Sequence, residues 1–183
     1  MKKLMFMLAA VAIAATTQAA SVWWTCTNVK ENGSGVSGIA YFMTTDFMSI
    51  ADAQALAGTG ATAVSAALDG YYSFSGSAGG FGVTSANAVN QTNLKLVGGT
   101  TYDAYLIVFD TATITDASNF YITGTKTLLA QEGATDVGSV KWGSQATPSA
   151  ADGAWRAVNV PEPTSGLLML VGLAGLALRR RRA

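Results

Sequence analysis

Residues 101–110 read TYDAYLIVFD. Tyr102, Ala104, Leu106 and Val108 alternate with Asp103, Tyr105, Ile107 and Phe109, the two-residue period of a β-strand. Polar and apolar residues alternate only in the first half. From Leu106 onward both faces are apolar, the pattern of a strand covered on both sides. Such a strand belongs at the centre of a sheet.

Shorter segments of the same kind surround it. Residues 21–29 (SVWWTCTNV) are apolar at nearly every other position. Residues 31–35 (ENGSG) hold Asn-Gly, a hairpin-turn signal, and residues 37–44 (SGIAYFMT) make the returning strand. Residues 71–75 (YYSFS), 93–97 (NLKLV), 119–123 (NFYIT), 126–130 (KTLLA), 139–142 (SVKW) and 154–158 (AWRAV) are further short strands. Residues 76–82 are rich in Gly and Ser. They lack a Gly-Lys-Ser/Thr and a strand-to-helix context, so they read as a turn rather than a phosphate cradle.

Two segments break the β pattern. In residues 49–57 (SIADAQALA), Ile50, Ala53, Leu56 and Ala57 recur at helical spacing, with Ser49 as N-cap and Asp52 three residues on. Residues 61–68 (ATAVSAAL) form a second short helix, ended by Asp69-Gly70. Many short strands with glycine-rich turns predict a mostly β protein: a single antiparallel β-sandwich or jelly-roll-like domain with one or two short helices.

The two chain ends have a different character. Lys2 and Lys3 precede an apolar run over residues 4–15 (LMFMLAAVAIAA), followed by small uncharged residues. This is the pattern of a Sec signal peptide. Small residues three before and one before the cut fit Thr17 and Ala19 as the signal peptidase site, with cleavage after Ala19. Cleavage after Ala20 would place Gln18 in the tighter pocket. As a helix the run spans roughly 18 Å, short for a membrane core of about 30 Å, so a cleaved signal helix is expected rather than an anchor. Cys26 lies well downstream, behind Trp23-Trp24-Thr25, so lipidation does not fit. It is the only cysteine. No internal disulfide can form, and burial on a strand is expected.

The chain ends VPEPTSGLLMLVGLAGLALRRRRA, residues 160–183. Residues 167–178 are continuously apolar. Thr164, Ser165 and Gly166 can extend the run, and Arg179 and Arg180 can snorkel, so a transmembrane helix is expected over about residues 164–179. Arg179, Arg180, Arg181 and Arg182 keep the end cytoplasmic by the positive-inside rule. Pro161, Glu162 and Pro163 then lie outside, near the membrane surface. Two prolines hold an extended, helix-free segment with one carboxylate between them, a shape suited to presentation to an enzyme.

This three-part tail resembles the PEP-CTERM sorting signal of Gram-negative bacteria. Pro161, Glu162 and Pro163 match its Pro-Glu-Pro, residues 167–178 its transmembrane helix, and residues 179–182 its basic terminus. The resemblance implies that a membrane-embedded exosortase recognises the Pro-Glu-Pro, removes the helix and releases or transfers the protein outward. It also implies a link to exopolysaccharide and the cell surface. It covers only about the last two dozen residues. The expected organisation is a Sec signal peptide (1–19), an exported β-rich domain (20–158) and a PEP-CTERM sorting signal (159–183). The expected partners are the Sec translocon, signal peptidase, an exosortase and, transiently, the membrane. Extracellular polysaccharide is a further candidate. The expected location is the surface or exterior of a Gram-negative-type bacterium, reached through an inner-membrane intermediate.

The net charge of zero averages over segments that part company. Residues 20–160 hold five basic and ten acidic side chains, a net of −5. That balance argues against nucleic acid, whose phosphates need a basic face. The chain has no histidine, which removes the usual general base near neutral pH, the usual catalytic triad and most zinc sites. Asp103, Asp110 and Asp116 flank the best strand and could gather as a carboxylate pair, which a glycosidase needs about 5–9 Å apart. Residues 110–116 (DTATITD) lack the dense acidic alternation and closing Glu of a calcium loop. Trp23, Trp24, Tyr41, Tyr71, Tyr72, Tyr102, Tyr105, Tyr121, Trp142 and Trp155 could offer ring faces to sugars, although aromatics equally serve strand packing. Asn32-Gly-Ser34 and Asn90-Gln-Thr92 match the glycosylation acceptor pattern.

No catalytic residue, metal ligand or cofactor is assigned. The expected role is an exported structural protein of the cell surface or extracellular matrix. A carbohydrate-binding module would instead show a row of exposed aromatics on one flat sheet face. An acid-dependent hydrolase would show a cleft with two converging aspartates.

Overall fold

A computed structural model describes residues 20–83, 89–90, 92–131, 138–145 and 155–158. In chain order these form β1 (Ser21–Thr27), the paired β2 (Lys30–Glu31) and β3 (Ser34–Gly35), β4 (Ile39–Thr44), α1 (Ile50–Ala57), α2 (Ala61–Leu68), β5 (Ser73–Ser75), β6 (Phe81–Val83) and β7 (Val89–Asn90). A 3-10 turn (Thr92–Leu94) leads into β8 (Thr101–Phe109), β9 (Asn119–Ile122), β10 (Lys126–Leu129), β11 (Gly138–Ser144) and β12 (Arg156–Ala157).

The strand with two apolar faces, β8, is central as its pattern predicts. The larger sheet runs β12-β9-β8-β4-β5, with β10 pairing the first half of β8 beside β9. The smaller sheet runs β11-β1-β6, with β7 also on β1. Across the β4–β8 ladder, Ala40 opposes Val108 and Phe42 opposes Leu106. Their face meets the smaller sheet. Trp24 of β1 stacks on Phe42 at 6.3 Å and meets Phe74 of β5 edge-on at 6.4 Å. Trp142 of β11 packs edge-on against both Trp24 and Phe42. The interface is sandwich-like, filled by aromatics from both sheets.

The opposite face of β4 and β8 carries Tyr41 against Ile107 and Met43 against Tyr105. Here the helices form a third layer. Tyr105 donates to the Met48 carbonyl at 2.9 Å, just before α1. Ala53, Ala57, Val64 and Leu68 bury into the same core. The helices are why the second half of β8 is apolar on both faces.

Three expectations need correction. The pairing is not wholly antiparallel: β1 and β11 run parallel, Trp24 opposite Val140. A parallel pair needs a long crossover, and here nearly the whole domain intervenes. Second, β1 and β4 do not form a hairpin. Asn32 (φ 49°) and Gly33 (φ 82°) take the left-handed geometry that Asn-Gly favours. The ladder stops at Lys30 opposite Gly35, and the chain crosses to the other sheet. Gly38 sits at that crossing. A Cβ there would lie 1.8 Å from the Phe109 carbonyl oxygen. Third, residues 93–97 are not a strand. Leu94 and Leu96 are buried, but Lys95 has φ 52°, so the two leucines anchor a loop.

The chain enters and leaves this body at opposite ends. Ala20 is buried and donates its N–H to Leu96 O, and Val97 N–H reaches the hydroxyl of Tyr102 near the start of β8. Val158 donates to Ser118 O, beside the end of β8. Nine residues of β-strand separate these ends by roughly 30 Å.

Candidate functional site

The sorting residues Pro161, Glu162 and Pro163, the arginines Arg179 to Arg182 and the expected membrane helix lie outside the described residues. So do Thr17 and Ala19 and the signal helix. The described chain ends at Val158, three residues before Pro161.

That last segment is firmly fastened. Arg156 pairs with Phe120 and Ala157 with Asn119 on β9. Val158 is fully buried and donates its N–H to Ser118 O at 2.9 Å. Trp155 donates Nε1–H to Lys30 O at 2.8 Å and packs on Tyr121 at 5.8 Å. Its anchor is built in turn. The buried Ser118 accepts at Oγ from Thr115 N–H at 2.9 Å and shares a 2.6 Å hydrogen bond with Thr111 Oγ1. Thr111 also donates to Thr113 O at 2.8 Å. The connection from β8 to β9 is thereby closed on itself and holds the exit strand.

Asp103 stands apart from Asp110, and Asp110 and Asp116 are each engaged by a different partner. Asp103 and Asp110 stand seven positions apart along one extended strand, roughly 23 Å. Asp103 is exposed, with Thr127 Oγ1 3.5 Å away. Asp110 accepts from Asn119 N–H at 2.8 Å and from Asn119 Nδ2 at 3.1 Å, clamping the β8–β9 turn. Asp116 accepts from Ala61 N–H at 2.8 Å and caps α2 from across the fold. Among the described residues, no three His, Cys, Asp or Glu side chains gather as a metal site.

One carboxylate pair does form, and it escaped the sequence reading. Asn119 Nδ2 also donates to Glu31 Oε1 at 3.1 Å, so a single amide bridges Glu31 and Asp110. Desolvation pushes the Glu31 carboxyl above its ordinary range, the charge of Asp110 adds to this, and the Asn119 hydrogen bond opposes it. Glu31 and Asp110 lie far apart in sequence, and no local pattern joins them.

Trp23 apart, the aromatics pack in or against the core. Trp24, Tyr102, Tyr105, Tyr121 and Trp142 are buried, and Trp23, Tyr41, Tyr71, Tyr72 and Trp155 are partly covered. Trp23 lies on the outer face of the smaller sheet, with Lys141 Nζ 4.9 Å from its ring centroid. The exposed Phe47 packs on Tyr71 at 4.8 Å. Cys26 is buried on β1, and desolvation pushes its thiol up to about 12, which suppresses the reactive thiolate.

No curated protein and no solved structure matches the chain. Its C-terminal residues 159–182 match the family model described as the PEP-CTERM protein-sorting motif. Directly after the fastened exit strand the chain therefore carries a PEP-CTERM sorting motif, which marks it for export and for processing by an exosortase.

Proposed function

We propose that residues 20–158 form a non-catalytic structural component of the cell surface or extracellular matrix, delivered there by exosortase processing. One observation carries this reading: most side chains suited to chemistry or sugar binding are spent on the architecture. Asp110 and Asp116 hold a turn and a helix, and the large aromatics fill the space between the layers. The test is the intact mass and location of the mature protein from its native cell. Wild type is compared with Glu162→Ala and with an exosortase-deficient strain. The expected wild-type chain begins near Ala20, ends within residues 161–164 and leaves the exterior fraction in both controls. A chain that keeps Arg179 to Arg182 in every strain would make the tail a plain anchor.

A carbohydrate-binding role is supported by Trp23, whose ring stands beside Thr25 and Lys141 on an outer sheet face. Affinity electrophoresis in the native exopolysaccharide distinguishes it. Retardation abolished by Trp23→Ala would favour a sugar platform over the structural role.

A further inference from the structure

The exit strand sets how far the folded domain can stand from the Pro-Glu-Pro. Val158 is buried and hydrogen-bonded to Ser118 O, and Arg156 and Ala157 are paired to β9. Three residues connect Val158 to Pro161, and fully extended they reach at most about 11 Å. A single α-helix with its side chains is about 10–12 Å across. Any protein gripping Pro161–Pro163 is therefore within one helix diameter of the domain.

Strand direction fixes which surface is near. β12 runs antiparallel to β9, so the chain leaves toward the connection that precedes β9. Thr113, Thr115, Asp116 and Ala117 of that connection are exposed. The Lys30–Gly35 hairpin is tied to the same end through Trp155 to Lys30 and Asn119 to Glu31. The Ala20 end lies roughly 30 Å away and takes no part.

We infer that the exit end of the domain, residues 111–118 with the Lys30–Gly35 hairpin, is a docking surface for the outward face of the exosortase. The inference rests on the exosortase reading above. Charge favours a protein partner over lipid. Glu31, Asp110 and Asp116 outnumber Lys30 and Arg156 at this end, so the surface lacks the basic cluster that recruits a domain to lipid headgroups. The docking surface is rigid before the partner arrives, because the Thr111, Thr115 and Ser118 bonds close the connection. Processing then occurs with the domain folded and β12 in place.

The test uses the full chain in its native host. A photo-crosslinking residue is placed at Ala117 or Thr113, with Lys126 at the far end as control. Exosortase adducts from Ala117 and Thr113 at least tenfold above Lys126 are expected. Ten Gly-Ser residues inserted after Val158 should lower the Ala117 adduct by about tenfold. An Asn119→Cys/Ala157→Cys pair should be processed at the same rate, within twofold, whether oxidised to lock β12 onto β9 or reduced. Equal adducts from both ends, or lipid adducts alone from Ala117, would overturn the docking surface. Loss of processing in the oxidised pair, restored by reductant, would overturn it too and make β12 a strand that must peel away. An unchanged mature mass in the exosortase-deficient strain would overturn the sorting reading itself, and the docking surface with it.

Discussion

Trp24 and Trp142 fill one interface on different terms. Trp24 is wholly buried, and its Nε1–H has no acceptor among the described residues. Trp142 Nε1–H donates to Gly124 O at 2.7 Å. Replacing either by Phe removes a similar volume, but only Trp142→Phe strips a carbonyl of its donor. We expect Trp142→Phe to cost about 1–2 kcal/mol more than Trp24→Phe in urea unfolding, since a buried unpartnered group has already lost its hydrogen bond. Glu31 gives a pH-dependent counterpart. Its folded carboxyl binds a proton more tightly than the unfolded one, so its contribution favours folding at low pH and is lost as pH rises through its raised value. Glu31→Gln should therefore melt above wild type at pH 7, with the gap closing below pH of about 4.5. The burial of Trp24 and Cys26 was legible in the alternation of residues 21–27. The bridging of Glu31 by Asn119 was not, because the two are 88 positions apart and meet only through folding.

The two helices show the same division at the level of elements. α1 carries its own start signal: Ser49 Oγ accepts from Asp52 N–H at 3.1 Å and donates to Asp52 Oδ2 at 2.7 Å. That cap is a local pattern and was readable. α2 begins at Gly60, which has no side chain to cap with, and Asp116 supplies the acceptor from 55 positions away. Asp116→Ala should destabilise the domain by about 1 kcal/mol. Asp116→Asn should retain most of that stability, since its amide oxygen still accepts. Urea melts, with amide exchange at Ala61, check both. Among the strands, β8 to β11 follow the expected segments closely. The hairpin of residues 21–44 failed because an Asn-Gly turn dictates only a local reversal. How far the ladder continues depends on where each strand buries its face, and here β1 and β4 face each other across the core. Residues 93–97 misled because two leucines two apart mark two buried side chains, which a loop with a left-handed residue between them also delivers.

At the scale of the whole molecule, the first and the last long strands lie side by side, β1 parallel to β11. The smaller sheet cannot be completed until most of the chain is in place. Residues 20–158, prepared without the tail, should unfold in one transition, with tryptophan fluorescence and far-UV circular dichroism tracing coincident curves. Separate midpoints would mean that the sheets melt independently. The sorting motif at residues 159–182 was readable without any fold, because such a signal is a short run of residues whose composition and order alone specify it. The β class and the central place of β8 were readable for a related reason: apolar periodicity records which faces are covered. What only the tertiary structure decided was the pairing of β1 with β11, the use of Asp110 and Asp116 as clamp and cap, and the fastening of Val158 within reach of Pro161. Each joins residues far apart in the chain, and such contacts are chosen by the packing of the whole core rather than by any local run of residues.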